Sequence, residues 1–94
     1  MNINQITSIV SEETKVSVSD IINPSRKSNK VLARHLSMWA CRWYSNQSLQ
    51  KIASAHNRKQ HGSVINASTS IENQKKYNAK INQICQTIIN RIKN

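Results

Sequence analysis

The stretch from Ser45 to Ile71, S-N-Q-S-L-Q-K-I-A-S-A-H-N-R-K-Q-H-G-S-V-I-N-A-S-T-S-I, carries two apolar patterns of helical period with a polar break between them. Ser48 suits the N-cap of a first short helix, because a serine oxygen there satisfies a backbone N–H that the helix itself leaves unpaired. Leu49, Ile52 and Ala53 mark the inner side of that helix. His56-Asn57-Arg58-Lys59 ends the pattern, and Asn57 tolerates the left-handed conformation of a tight turn. A second helix is expected from about Gln60, with Val64, Ala67, Ser68 and Ile71 facing inward at spacings of three and four. Its first turn then presents Gln60, His61 and Ser63 outward, the kind of polar edge that a recognition helix puts into the major groove. Helix pairs joined by a turn are also ordinary scaffold in small helical domains, so the pattern alone does not choose.

Charge does choose. The 94 residues carry a formal net charge of +10, which points to a polyanion: nucleic acid first, an anionic membrane second. The acids are Glu12, Glu13, Asp20 and Glu72, so nothing between Ile21 and Ile71 is negative. That interval holds Arg26, Lys27, Lys30, Arg34, Arg42, Lys51, Arg58 and Lys59. Solvated surfaces normally mix signs, and a one-signed stretch framing a helix-turn-helix reads as a footprint for DNA.

A single Gly, a single Pro and no Phe favour helices over strands, and the length allows one domain with one modest core. A first helix is expected over Asn4 to Thr14, with Ile3, Ile6, Ile9 and Val10 inside. Glu12 and Glu13 sit near its C-terminal end, where the helix dipole disfavours them, so they serve a surface. Ser17 or Ser19 caps a short helix containing Asp20, Ile21 and Ile22, and Asn23-Pro24 stops it. Ser25 to Lys30 is a basic loop: a solvated linker if taken alone, a phosphate-contacting or minor-groove arm once the downstream motif is considered. Val31 to Tyr44 is the expected central helix, with Leu32, Leu36, Trp39, Ala40 and Trp43 in the core and Arg34 beside the basic loop, within reach of a phosphate. Lys75-Lys76 ends the recognition helix, and Tyr77 to Lys93 forms a last helix on Ile81, Ile84, Cys85, Ile88, Ile89 and Ile92. The expected fold class is all-α: a compact bundle of about six helices forming one domain over residues 1–94, with the helix-turn-helix at about 48–74.

These residues resemble the C-terminal DNA-binding domain of the bacterial replication initiator DnaA, a Trp-repressor-like helix-turn-helix fold. Three pieces carry the resemblance: Lys15–Ile22 (K-V-S-V-S-D-I-I), Ala33–Arg42 (A-R-H-L-S-M-W-A-C-R), and Ser48–Ala53 followed by His61–Ala67 (S-L-Q-K-I-A and H-G-S-V-I-N-A). The likeness runs from about Ile3 to Ile92. It implies that Arg26 is the basic-loop arginine that enters the minor groove and that Arg34 is a DNA-contacting arginine of the long helix. It places the family's base-reading Asp-His-Thr-Thr edge on Gln60, His61, Gly62 and Ser63. The departures matter. Gln60 suits an adenine edge where the family's aspartate accepts from cytosine. Gly62 has no side chain where the family's first threonine offers a methyl to thymine, and Asn57-Arg58 replaces a Gly-Gly turn. Altered or relaxed specificity is therefore expected. The initiator's ATPase module requires a glycine-rich phosphate loop that one glycine does not supply. The chain is thus either a separate small protein that took over the domain or a fragment of a longer one, and the altered signature favours the former.

The leading expectation is a non-enzymatic, double-stranded DNA binder at replication-origin or promoter sites, cytoplasmic and nucleoid-associated. Its expected DNA contacts are Arg26, Lys27, Lys30, Arg34, Arg58, Lys59, Gln60, His61, Gly62 and Ser63. The runner-up is a protein-interaction module that regulates the replication initiator and binds DNA weakly. RNA binding ranks below both, because the tryptophans are expected in the core rather than as stacking platforms. Enzyme readings lack parts: the acids form no pair, and neither Cys41 nor Cys85 has a histidine at a helix-neighbour spacing. Cys41 and Cys85 are expected to be buried, reduced thiols, as in a cytosolic protein. His35, His56 and His61 match no metal-ligand spacing and are expected as hydrogen-bonding surface histidines. No cofactor, metal, small-molecule substrate or membrane partner is expected.

Overall fold

A computed structural model describes residues 1–23 and 26–94 of the chain. Six helices account for it: α1 (Ile3–Thr14), α2 (Val18–Ile22), α3 (Ser28–Tyr44), α4 (Leu49–Ala55), α5 (Gly62–Tyr77) and α6 (Ala79–Lys93). No strand occurs among the described residues. α3 touches all five other helices and forms the axis of the bundle, so its inner residues Ala33, Leu36, Met38, Trp39, Ala40 and Cys41 are all buried.

Four of the six helices, α1, α2, α4 and α6, begin at a side-chain cap that the sequence provides. Asn2 and Gln5 form a reciprocal capping box on α1, with the Gln5 N–H 2.8 Å from Asn2 Oδ1 and the Asn2 N–H 3.0 Å from Gln5 Oε1. Ser17, not Ser19, caps α2, its Oγ accepting from the Asp20 N–H at 3.1 Å. Lys15 closes α1 in the left-handed region at φ 62°. Ile6, Ile9 and Val10 of α1 are buried, as their spacing requires, and Ile3 packs against them at the edge. Glu12 and Glu13 do serve a surface: both carboxylates hold Arg91, near the end of α6, with Glu13 at 2.9 Å. The electrostatic cost of acids at a helix C-terminus is thus offset by a contact 78 residues away.

Several boundaries differ from the sequence expectation. α3 starts at Ser28 rather than Val31, because the Lys27 carbonyl accepts from the Lys30 and Val31 N–H groups at 3.0 and 2.9 Å. The described part of the basic loop shrinks to Arg26 and Lys27, while the Pro24 stop and Ser25 lie outside the described residues. α5 runs to Tyr77, and α6 begins only at Ala79. Asn78 separates them: its N–H closes α5 on Gln74, and its Oδ1 caps the Lys80 and Ile81 N–H groups.

Two aromatic residues with the same apparent periodicity part company. Trp39 is buried and donates its indole N–H to Glu72 at 2.6 Å, with the Lys75 ammonium 5.3 Å from its ring centroid. Trp43, expected in the core, is 53% exposed. The Arg42 guanidinium lies 4.7 Å from the Trp43 ring centroid, a cation–π contact that suits an exposed indole.

Cys41 and Cys85 are free and buried. Burial pushes the Cys41 thiol up to about 12 and the Cys85 thiol up to about 11, so both are unreactive packing groups. On the inner face of α5 the Ser68 hydroxyl is buried without a hydrogen-bond partner among the described residues. An unpaired buried hydroxyl destabilises the native state, and Ser68→Ala is expected to add about 1 kcal/mol of stability. A raised urea midpoint at unchanged slope would show it; a lowered midpoint would mean that the hydroxyl has a partner.

Candidate nucleic-acid interface

The helix-turn-helix forms from local chemistry. Ser48 Oγ accepts from the Lys51 N–H at 3.1 Å and starts α4, as its position predicts. Leu49, Ile52 and Ala53 turn inward. Asn57 takes the left-handed conformation at φ 60°, and the Arg58 N–H returns to the Ala53 carbonyl at 2.8 Å, closing the turn. His56 is the exception. It is 1% exposed rather than a surface group, with Nε2 2.7 Å from Ser37 Oγ and Nδ1 2.8 Å from the Ile52 carbonyl. This histidine fastens the turn to the middle of α3.

The turn delivers the chain into α5 with its polar edge outward. Gln60 and His61 are exposed and precede the helix, which starts at Gly62 rather than Gln60. Their carbonyls accept from the Ser63 and Val64 N–H groups at 3.1 and 3.0 Å, a tight turn that leads into the regular helix. Val64, Ala67, Ser68 and Ile71 are buried, so the inner face of α5 is as its spacing predicts. A Cβ added at Gly62 would meet nothing within 4 Å. The backbone therefore does not require glycine there, and its effect is to leave space on the outer edge.

Between α3 and α5 lies a cleft of about 420 Å3, lined by Arg26, Val31, Arg34, His35, Met38, Arg58, Ser63 and Asn66. A neighbouring hollow of about 440 Å3 shares Arg26, Val31 and His35 and continues to Ser70 and Gln74. Three guanidinium-bearing residues from three segments thus converge beside the first turn of α5. Arg34 is 2% exposed, with Nε donating to the Ile21 carbonyl at 3.0 Å and a second nitrogen donating to the Asn23 carbonyl. Burial, then repulsion from Arg58, pushes its pKa below the usual arginine value. Burial likewise pushes the His35 pKa down, with Arg34 and Arg58 adding to the effect. Burial is the larger cause in both, and the secondary contributions from Arg34 and Arg58 reflect how close the positive charges lie.

The structure sorts the residues singled out from sequence. Arg26, Arg34, Arg58 and Ser63 meet at the cleft. Lys27, Lys59, Gln60 and His61 are exposed around it. Lys30 lies 3.3 Å from Asp20, so part of its charge is spent within the protein. Arg34 does not extend from the surface as its sequence position suggests; it is buried against the end of α2. His35 and Asn66 are not among the expected DNA contacts, yet both line the cleft. Asn66 follows Ser63 by three residues, a spacing that places both on one helical face.

Fold and surface together define a helix-turn-helix DNA-binding domain. The model of the bacterial dnaA protein helix-turn-helix matches residues 3–71, and the chain belongs to that family. It is 36% identical over 80 residues to the chromosomal replication initiator protein DnaA of Aquifex aeolicus, covering 85% of this chain. It is 34% identical over 87 residues to the same initiator of Gloeobacter violaceus, covering 93% of this chain, and 29% identical over 92 residues to that of Mycoplasma capricolum, covering 98%. The chain spans 20% of the length of each of these relatives. The matched family domain binds DNA and is not catalytic.

Proposed function

We propose that the chain binds double-stranded DNA with α5 in the major groove, where Gln60, His61 and Ser63 read base edges beside the open Gly62 position. Arg26, Lys27, Lys30, Arg58 and Lys59 hold phosphates, and Arg34 positions the Arg26 segment instead of contacting DNA itself. The observation that carries this reading is the convergence of Arg26, Arg58 and Ser63 on one cleft next to an exposed, polar helix start. Duplex DNA supplies both ligands side by side: a phosphate at the cleft and base edges in the adjoining groove. The biological setting that fits the family is competition for, or regulation at, replication-origin or promoter sites on nucleoid DNA.

The test is selection of bound sequences from random duplex DNA, followed by salt-dependent binding. With about five phosphates neutralised, log affinity should fall against log salt at a slope of about −4.5. Arg26→Ala should reduce that slope by about one across all sequences, while His61→Ala should lose the selected preference at an unchanged slope. Failure to enrich any motif, with affinity only in the millimolar range, would overturn the reading. It would favour the second one, a module that regulates the initiator by protein contact, for which exposed Trp43 beneath Arg42 supplies a surface.

A further inference from the structure

We infer that Ile65 is an apolar base-reading contact of α5, taking the 5-methyl group of a thymine in the major groove across the space left by Gly62. The inference rests on the DNA-binding reading above and adds to it a determinant of target sequence.

Ile65 is 38% exposed, although α5 already fills its share of the core with Val64, Ala67, Ser68 and Ile71. A β-branched residue at a helical position outside the core carries a propensity penalty relative to alanine. Its position on the helix is specific. Ile65 follows His61 by four residues and Gly62 by three, so the three share one face of the first turns. Tyr77, the other exposed large hydrophobic of α5, lies at the far end. Ile65 is thus an apolar group set among the polar side chains that flank the helix start.

The major groove offers one apolar feature among its base edges, the methyl group of thymine. A branched aliphatic side chain is short, and it reaches that methyl only if the helix backbone comes close. The open space at Gly62 provides this, because a Cβ there would project into a region that no protein atom occupies within 4 Å. His61 and Ile65 are separated by about 6 Å along the helix axis, no more than about two base-pair steps, so a hydrogen bond from His61 and a methyl contact from Ile65 fall within one short run of base pairs. The residue that has lost its side chain and the residue that supplies an apolar one are therefore coupled, and the preferred site contains an A·T pair at that position.

The experiment uses the duplex recovered by selection, with each thymine replaced in turn by deoxyuridine, which removes the 5-methyl group and nothing else. Wild type is expected to lose about fourfold in affinity at one thymine, the loss that one buried methyl predicts. Ile65→Ser should bind the thymine and uracil duplexes equally while retaining its helical circular dichroism, and Ile65→Val should keep part of the discrimination. Gly62→Val, which fills the space, should weaken binding and reduce the methyl effect. The inference is overturned if wild type is indifferent to every methyl group, or if Ile65→Ser discriminates as wild type does. Those outcomes leave duplex binding intact, whereas absence of any enriched duplex overturns the DNA-binding reading and this inference with it.

Discussion

Arg34→Met is expected to cost about 2–3 kcal/mol of folding stability, a fall in Tm of about 10–20 °C for a domain of this size. The side chain is almost wholly buried and donates to the carbonyls of Ile21 and Asn23. These lie at the C-terminal end of α2, where a helix leaves carbonyls without partners of its own. Methionine keeps most of the apolar stem and removes the donors, so the change isolates the hydrogen bonds. Lysine should fare little better, because one ammonium on a flexible stem does not reproduce a planar fork aimed at two acceptors. The DNA readout separates this role from phosphate contact. Where Arg34→Met is still folded, affinity should drop and the salt slope should fall by about one through loss of the Arg26 placement, and adding Arg26→Ala should lower the slope no further. A double variant whose slope falls by about two would instead make Arg34 a direct phosphate ligand.

That residue also shows where sequence reading stops. Helical period located the inner faces of α1, α4 and α5, because a side chain's face depends on spacing alone, and the turn at Asn57 followed from one residue's tolerance of positive φ. The cationic interval located the surface, since charge is read directly from composition. What spacing does not encode is coverage. Trp39 and Trp43 are one turn apart on α3 with equal apolar character, yet only the first is enclosed, with Glu72 of α5 taking its indole N–H. Arg34 adjoins a basic loop in sequence and looks like part of it, but α2 folds back to claim its donors. His56 sits in a polar turn and reads as exposed until Ser37, 19 residues earlier, is placed against it. Ser28 to Lys30 lack apolar spacing and read as loop, although helix formation there needs only the Lys27 carbonyl as first acceptor. In each case the deciding contact is tertiary. Ile65 illustrates the same point in reverse, since an isoleucine next to buried Val64 on α5 stays 38% exposed.

Loss of stability on mild acidification, before the carboxylates titrate, is expected to trace largely to His56. The ring joins three elements: its Nδ1 donates to the Ile52 carbonyl of α4, its Nε2 accepts from Ser37 of α3, and Ser37 Oγ lies 3.1 Å from Thr7 Oγ1 of α1. Burial is the main cause pushing its pKa below the usual histidine value; the bond to Ile52 opposes this, and Arg34 and Arg58 add to it. The folded state therefore binds fewer protons than the unfolded chain in the interval between the two values. Its contribution is fully present above the unfolded value of about 6.5 and is lost as pH falls from there towards the folded value. His35, also shifted down, adds in the same direction. The urea midpoint of wild type should accordingly drop between about pH 7.5 and pH 5. His56→Ala should cost about 3 kcal/mol at neutral pH, because it opens a cavity and leaves the Ser37 hydroxyl and Ile52 carbonyl without their partner. In that variant the drop should shrink to the part owed to His35, and His35→Gln on the same background should flatten it further. If His56→Ala instead kept the whole pH dependence of wild type, protonation of the buried ring would not be what loosens the turn.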